Sequence, residues 1–344
     1  MTPILQWCLS FPEWVLRPFA GRSEVIDGQV LDVDAQLVLR VMRRMPSVGA
    51  DGALPVAEAR QAFRRVPKYV RRAWRRPTED VVIPLAGRDL PARIYRAESA
   101  EGEQAPVLLW FHGGGWVIGD LETAEVVCHQ LSTFGGFDVV SVDYRLAPEH
   151  PYPAAADDAI ESADWIAEHG HQWGLRSGSV SVSGDSAGGN LAAVASLYSD
   201  HVCAQLDVYG GVDLSHGKAS KTLFADGYLL TARGVDWFGA QYWPDPTRKA
   251  EPKASPLLAD DLSSMPPAVV VVAGFDPIRD DSYAYIRALT EAGVDVVVHE
   301  WLGQAHGFFT SGDVLPTGRD AVQRAAVALR QLVDGCDDPE LAHT

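Results

Sequence analysis

SVSVSGDSAGGNLAA, residues 179–193, is the stretch on which the reading of this chain turns. Its first five residues place valines on alternate positions, as a strand does. GDSAGG then supplies a run of small residues, and NLAA opens a helix. A strand, a sharp turn and a helix in that order are the setting of a nucleophile elbow, in which Ser186 is held in a strained backbone conformation. Small residues two places on either side, Gly184 and Gly188, are then required to avoid clashes. The Ser186 hydroxyl would stand above the sheet, and the N-terminus of the following helix would favour negative charge developing beside it.

Working outward, HGGGW at 112–116 directly follows an apolar strand over 106–111. Three consecutive glycines at a strand end expose backbone N–H groups with no side chains in the way, an arrangement suited to holding an oxyanion. Further strands are expected near 80–84, 91–96, 137–143, 179–183, 204–210, 268–274 and 295–301. Helices are expected at 121–133, 154–169, 188–199, 281–292 and 318–334, the last capped by Gly335. The alternation predicts an α/β fold with a mostly parallel central sheet of about eight strands flanked by helices. The runs VVVV at 269–272 and VVV at 296–298 do not alternate with polar residues, which predicts strands covered on both faces.

At 344 residues, 47% of them apolar and 22% charged, with a mean hydropathy of -0.04, the composition is that of a globular chain with a sizeable core. A formal charge of -17 argues against nucleic acid as a partner, because such a protein needs a basic surface. The basic run RQAFRRVPKYVRRAWRR at 60–76 is read as a helix face pairing with acidic neighbours, with anionic-lipid contact as the rival. The four cysteines, Cys8, Cys128, Cys203 and Cys336, are too scattered for a metal site or a disulfide framework. The N-terminus is apolar but has no basic leader region and no small-residue cleavage site, so a cytoplasmic location is expected.

Two regions interrupt the strand rhythm. Residues 1–76 contain the amphipathic segment Asp32–Met45 and are read as an N-terminal helical cap; residues 77–336 form the catalytic domain and 337–344 a tail. About 214–262 is a cap-like insertion carrying Tyr228, Trp237, Phe238, Tyr242 and Trp243, and an insertion there would roof the crevice at the strand C-termini. The N-terminal aromatics Trp7, Phe11, Trp14 and Phe19 either roof the crevice too or face lipid.

HGGGW at 112–116, DYRLAPEHPYPAA at 143–155, GDSAGGNLAA at 184–193, DPIRDD at 276–281 and HGF at 306–308 together resemble the bacterial hormone-sensitive-lipase-like esterases of the α/β-hydrolase superfamily. The resemblance covers about residues 80–335. It implies an α/β-hydrolase fold, an oxyanion hole from the amides of Gly113, Gly114 and Ala187, and a bracing role for Tyr144–Glu149 and His112. In that fold the triad runs in the order serine, acid, histidine, each near a strand C-terminus. Asp276 lies two residues beyond its strand, whereas Asp280 and Asp281 fall in the next helix. His306 lies in a loop and matches the motif, whereas His299 is locked in a strand. Trp116, Asp185 and Tyr228 are assigned to substrate contact.

The expected chemistry is ester hydrolysis through an acyl-enzyme on a short- to medium-chain acyl ester, with no metal or organic cofactor. Amide or N-formyl hydrolysis, and a receptor that has lost its chemistry, are the alternatives. A membrane-surface contact through the N-terminal segment and a homodimer are left open.

Overall fold

The structure, a computed structural model, describes residues 9, 11–44, 52–70, 77–98 and 104–337, with side chains described outside 66–70 and 337. After a small hairpin of β1 (Val25–Ile26) and β2 (Gln29–Val30), eight strands form one sheet. These are β3 (Thr78–Leu85), β4 (Arg88–Tyr95), β5 (Val107–Phe111), β6 (Asp138–Val142), β7 (Val180–Asp185), β8 (Val202–Val208), β9 (Ala268–Phe275) and β10 (Val296–Ala305). Their order is β10-β9-β8-β7-β5-β6-β4-β3. β4 is antiparallel to both its neighbours and every other pair is parallel, so β5 to β10 all end on one edge.

The side-chain period of two sorts the core into layers. Val107, Leu109 and Phe111 of β5 face the cluster built on α5 (Ala154–His169) and α6 (Ala187–Tyr198). Leu108 and Trp110 face the opposite layer, built on α4 (Leu121–Gly135) and α10 (Pro316–Asp337). The remaining helices are α1 (Glu13–Ala20), α2 (Val33–Met42), α3 (Val56–Val70), α7 (Ala219–Leu223), α8 (Ala232–Tyr242) and α9 (Arg279–Glu291).

Two sequence expectations are corrected. Val269–Val272 of β9 are fully buried, but β10 closes the sheet, so Val298 is 39% exposed: the valine run marks an edge strand rather than a covered one. Gly335 does not cap the last helix, which continues to Asp337.

The basic run is tied into the fold where it is described. Arg60 of α3 donates to the carbonyls of Val117 (2.8 Å) and Ala147 (2.8 Å) and pairs with Glu149 at 2.6 Å, while Arg64 pairs with Asp120. One guanidinium thus clamps the glycine-rich loop to the DYRLAPEHP loop, the geometry in which arginine outperforms lysine. Arg71, Arg72, Arg75 and Arg76 lie outside the described residues.

Candidate active site

The elbow forms because its glycines meet backbone rather than side chains. A Cβ on Gly188 would lie 1.9 Å from the Phe111 carbonyl oxygen, and one on Gly184 would lie 2.4 Å from the Gly188 carbonyl. We expect Gly188→Ala to lower stability by about 3 kcal/mol through overpacking against main chain that cannot retreat. A urea midpoint equal to the parent's would refute this interlock.

Between those glycines Ser186 adopts φ 57° and ψ -116°, a region that costs a non-glycine residue about 1–3 kcal/mol. The conformation is pinned from both sides: Ser186 N–H donates to the Val208 carbonyl (2.9 Å), and Asn190 N–H donates to the Ser186 carbonyl (3.1 Å). The Asn190 amide nitrogen in turn donates to Gly211 (2.8 Å) and Ala254 (2.9 Å). Ser186 is half-buried at the mouth of the sheet.

Asp276 follows β9 and is fully buried; its Oδ2 lies 2.6 Å from Nδ1 of His306, while its Oδ1 accepts the Ile278 N–H at 2.8 Å. The Tyr209 ring, one residue past Val208, sits 4.7 Å from the His306 ring. A continuous chain of contacts therefore runs from Ser186 through Val208 and Tyr209 to His306 and Asp276. Asp280 and Asp281 are spent elsewhere: Asp280 accepts the Ser220 N–H at 2.9 Å, and Asp281 is buried 3.9 Å from Lys218.

The glycine loop is braced from below. The His112 ring stacks on Tyr144 at 4.4 Å, the Tyr144 hydroxyl donates to the His112 carbonyl (2.7 Å), and Arg145 pairs with the buried Asp158 at 2.8 Å. The bracing role expected of His112 and the 144–149 stretch matches these contacts. Gly114 (φ 117°) and Gly115 (φ 60°) are further required because a Cβ would meet the Ile118 carbonyl and the Phe238 ring, each at 2.2 Å.

Four expected site residues are placed differently. Gly113 N–H donates to Asp185 Oδ1 at 2.8 Å, so this amide is engaged by a buried carboxylate and is not left to face an oxyanion. Among the described residues the amides of Gly114, Gly115 and Ala187 have no such acceptor. Asp185 is correspondingly a strut between the two loops rather than a substrate contact. Burial raises its pKa, with the Gly113 amide and the two nearby histidines, His306 and His112, opposing the rise. Trp116 is buried, stacked on Tyr242 at 4.6 Å and edge-on to Trp243 at 6.0 Å, beneath the insertion. Tyr228 is also buried, its ring 5.3 Å from Phe275 and its hydroxyl bonded to Glu24, so it ties the N-terminal segment to the strand that leads into Asp276.

Sequence reasoning missed Asp207. It lies in β8 beneath the elbow, with Oδ1 accepting the Gly210 N–H (2.8 Å) and Oδ2 buried without a partner. A Cβ on Gly189 would come within 3.3 Å of that Oδ2. Burial pushes the Asp207 carboxyl up to about 6, with the Gly210 amide opposing. The folded state therefore holds on Asp207 a proton that the unfolded chain releases near pH 4, so this group's contribution to stability is full below that pH and is lost as pH rises through about 6. Asp207→Asn should remove this slope and raise stability at alkaline pH by up to about 3 kcal/mol. Denaturation curves across that range check it, and an unchanged slope would refute the assignment.

The model of the α/β-hydrolase fold family matches residues 108–310. Carboxylic ester hydrolase LipN of Mycobacterium tuberculosis is 40% identical over 321 residues, 89% of this chain and 83% of the relative. Ethyl acetate hydrolase of Pseudomonas putida is 33% identical over 291 residues, 81% of this chain and 91% of the relative. Among solved structures, an esterase of Pyrobaculum calidifontis superposes with a TM-score of 0.80 at 35% identity, covering 86% of this chain and 98% of its own. A family match over most of the catalytic core, joined to relatives aligned along nearly their whole lengths, places this chain in the α/β-hydrolase fold family, among its hormone-sensitive-lipase-like bacterial esterases.

Proposed function

We propose that the protein is a serine carboxylester hydrolase acting on short- to medium-chain acyl esters through an acyl-enzyme. The observation that carries this reading is the 2.6 Å bond from His306 Nδ1 to the fully buried Asp276, on the same sheet edge as a serine held at φ 57°. With Nδ1–H donated to Asp276, Nε2 is the lone-pair nitrogen and removes the Ser186 proton as Oγ attacks the acyl carbonyl. The tetrahedral oxyanion is taken by the amides of Gly114, Gly115 and Ala187, the last at the N-terminus of α6. His306 then protonates the leaving alcohol, and a water deprotonated by the same nitrogen releases the acid.

The names of the relatives, a carboxylic ester hydrolase and an ethyl acetate hydrolase, support the ester class. Ala35, Val38 and Leu39 of α2 pack against Leu229, Ala305 and Phe308 with only about 10 Å³ left between them, room for no more than about one water, so α2 closes the sheet edge beside His306 and supports a bounded acyl site rather than an open one. We read residues 1–76 as a cap whose inner face is that side of α2, bonded to β10 through Asp32 N–H to the Gly303 carbonyl (2.9 Å) and Gln304 to Asp32 (2.8 Å). Removing residues 1–40 should raise KM for a butyrate ester while the core keeps its fold; unchanged kinetics would sink the cap.

The deciding experiment is a panel of p-nitrophenyl esters from acetate to palmitate beside the matching anilides. Turnover should peak at the short esters. Anilides turned over as fast as esters would move the activity to amides, and rates rising steadily to palmitate would overturn the bounded site.

A further inference from the structure

The chain's acidic excess disappears in residues 11–44, which carry five arginines and five carboxylates. The chain carries 46 acidic against 29 basic side chains, and several arginines elsewhere meet carboxylates, as Arg88 does Asp158 and Arg93 does Asp80. Arg22, Arg40, Arg43 and Arg44 form no ion pair among the described residues. Arg40 donates to the Phe19 carbonyl (3.0 Å), Arg43 to the Gly227 carbonyl (2.9 Å) and Arg44 to the Arg40 carbonyl (2.9 Å). A neutral carbonyl satisfies a donor but leaves the positive charge standing.

Three of these residues, Arg22, Arg40 and Arg43, line one cavity of about 260 Å³ between α1, the hairpin and α2. The one carboxylate there, Glu24, is engaged by the Tyr228 hydroxyl. Three cations against one anion leave a net positive cavity in an otherwise acidic chain. Beside it, α1 buries Leu16 and Ala20 but leaves Trp14 77% and Phe19 71% exposed, the two largest exposures among the large apolar side chains described. Arg40 holds the Phe19 carbonyl, so the end of α1 that carries Phe19 is tied to the basic cavity.

We propose that this face docks the protein on an anionic phospholipid surface. The guanidinium groups of Arg22, Arg40 and Arg43 take a lipid phosphate in the cavity, and Trp14 and Phe19 enter the headgroup layer. Charge complementarity selects that occupant: a bilayer carrying phosphate and negative surface potential attracts this patch and repels the remaining acidic surface, which also fixes the orientation. Guanidinium groups match phosphate geometry, and aromatic rings with a polar companion favour the membrane interface. Contact is peripheral, since no helix among the described residues is long and apolar enough to cross a membrane. Leu31 and Leu39 of the cavity wall also pack with Phe275 and Ala305, the neighbours of Asp276 and His306, so docking would bring the sheet edge bearing those two residues next to the lipid.

The test is co-sedimentation of the full chain with phosphatidylcholine vesicles, alone and with about 30% phosphatidylglycerol. Binding should appear only with the anionic lipid and weaken at high salt. Arg22→Glu should weaken it by roughly ten-fold or more, since each basic residue near such a surface contributes about five-fold. Trp14→Ser with Phe19→Ser should weaken it comparably. All variants should keep the parent's circular-dichroism spectrum and a cooperative thermal unfolding transition, which controls for folding. Absence of binding, equal binding to phosphatidylcholine alone, or variants that bind like the parent would each overturn the proposal. Inorganic phosphate is the remaining arm: a rise in Tm that Arg22→Glu abolishes, without vesicle binding, would make the cavity a site for free phosphate and reject the docking surface.

Discussion

Ser186→Ala should abolish ester turnover, lowering kcat on the order of 10⁵-fold or more, while the unfolding midpoint stays at the parent's value. The separation of effects follows from the local structure. Every contact that holds residue 186 in place is made by its backbone: its N–H on Val208, its carbonyl on Asn190, and glycines packed on either side. Alanine keeps all of these and loses only the oxygen. Steady-state kinetics with p-nitrophenyl butyrate and a thermal melt on the same preparation check the expectation. A folded variant retaining more than a few per cent of the rate would remove Ser186 from the nucleophile's role.

Asp276→Asn should lower kcat by about 10⁴-fold, because an amide facing His306 Nδ1 can hold the ring in the wrong tautomer, with the proton on the nitrogen that must accept. Asp280→Asn and Asp281→Asn should cost about ten-fold or less, and show chiefly in stability. Asp280 secures the Ser220 N–H, and the Asp281 carboxyl is pushed well above its usual range by burial, with Lys218 opposing, so neither faces the imidazole. Combining Ser186→Ala with Asp276→Asn should add little to the serine variant alone, since the two act as one unit. A large loss at Asp280 would move the acid into α9.

The sheet was legible because its central strands are β-branched runs bounded by glycine and proline, and all eight were expected within a few residues of where they lie. What residue type leaves open is whether a strand has a neighbour on each side: Val269–Val272 and Val296–Val298 look alike in sequence, yet one is central and the other an edge. The same limit applies within the site. HGGG announces exposed amides, but which amide faces the cleft depends on where the Asp185 side chain lands, and that is set by the packing of two loops distant in sequence. An aspartate beside a serine reads as a substrate contact until its oxygen is found on Gly113. Asp207 carried no motif at all, and only burial singles it out. The hairpin at Val25–Val30 escaped notice because two-residue strands leave no periodicity to detect.

The packing of Gly188 against Phe111 and the bond from Gly113 to Asp185 mean that the Ser186 turn and the glycine loop are each other's mould. Neither can open alone without exposing the other's main chain, so both belong to a single cooperative unit with the centre of the sheet. Residual turnover during heating should then act as a direct gauge of the fraction of molecules whose core is intact, with no warm, folded but inactive population. Amide hydrogens of Gly113 and Ser186 should exchange with solvent together, at the slow rate of the central strands.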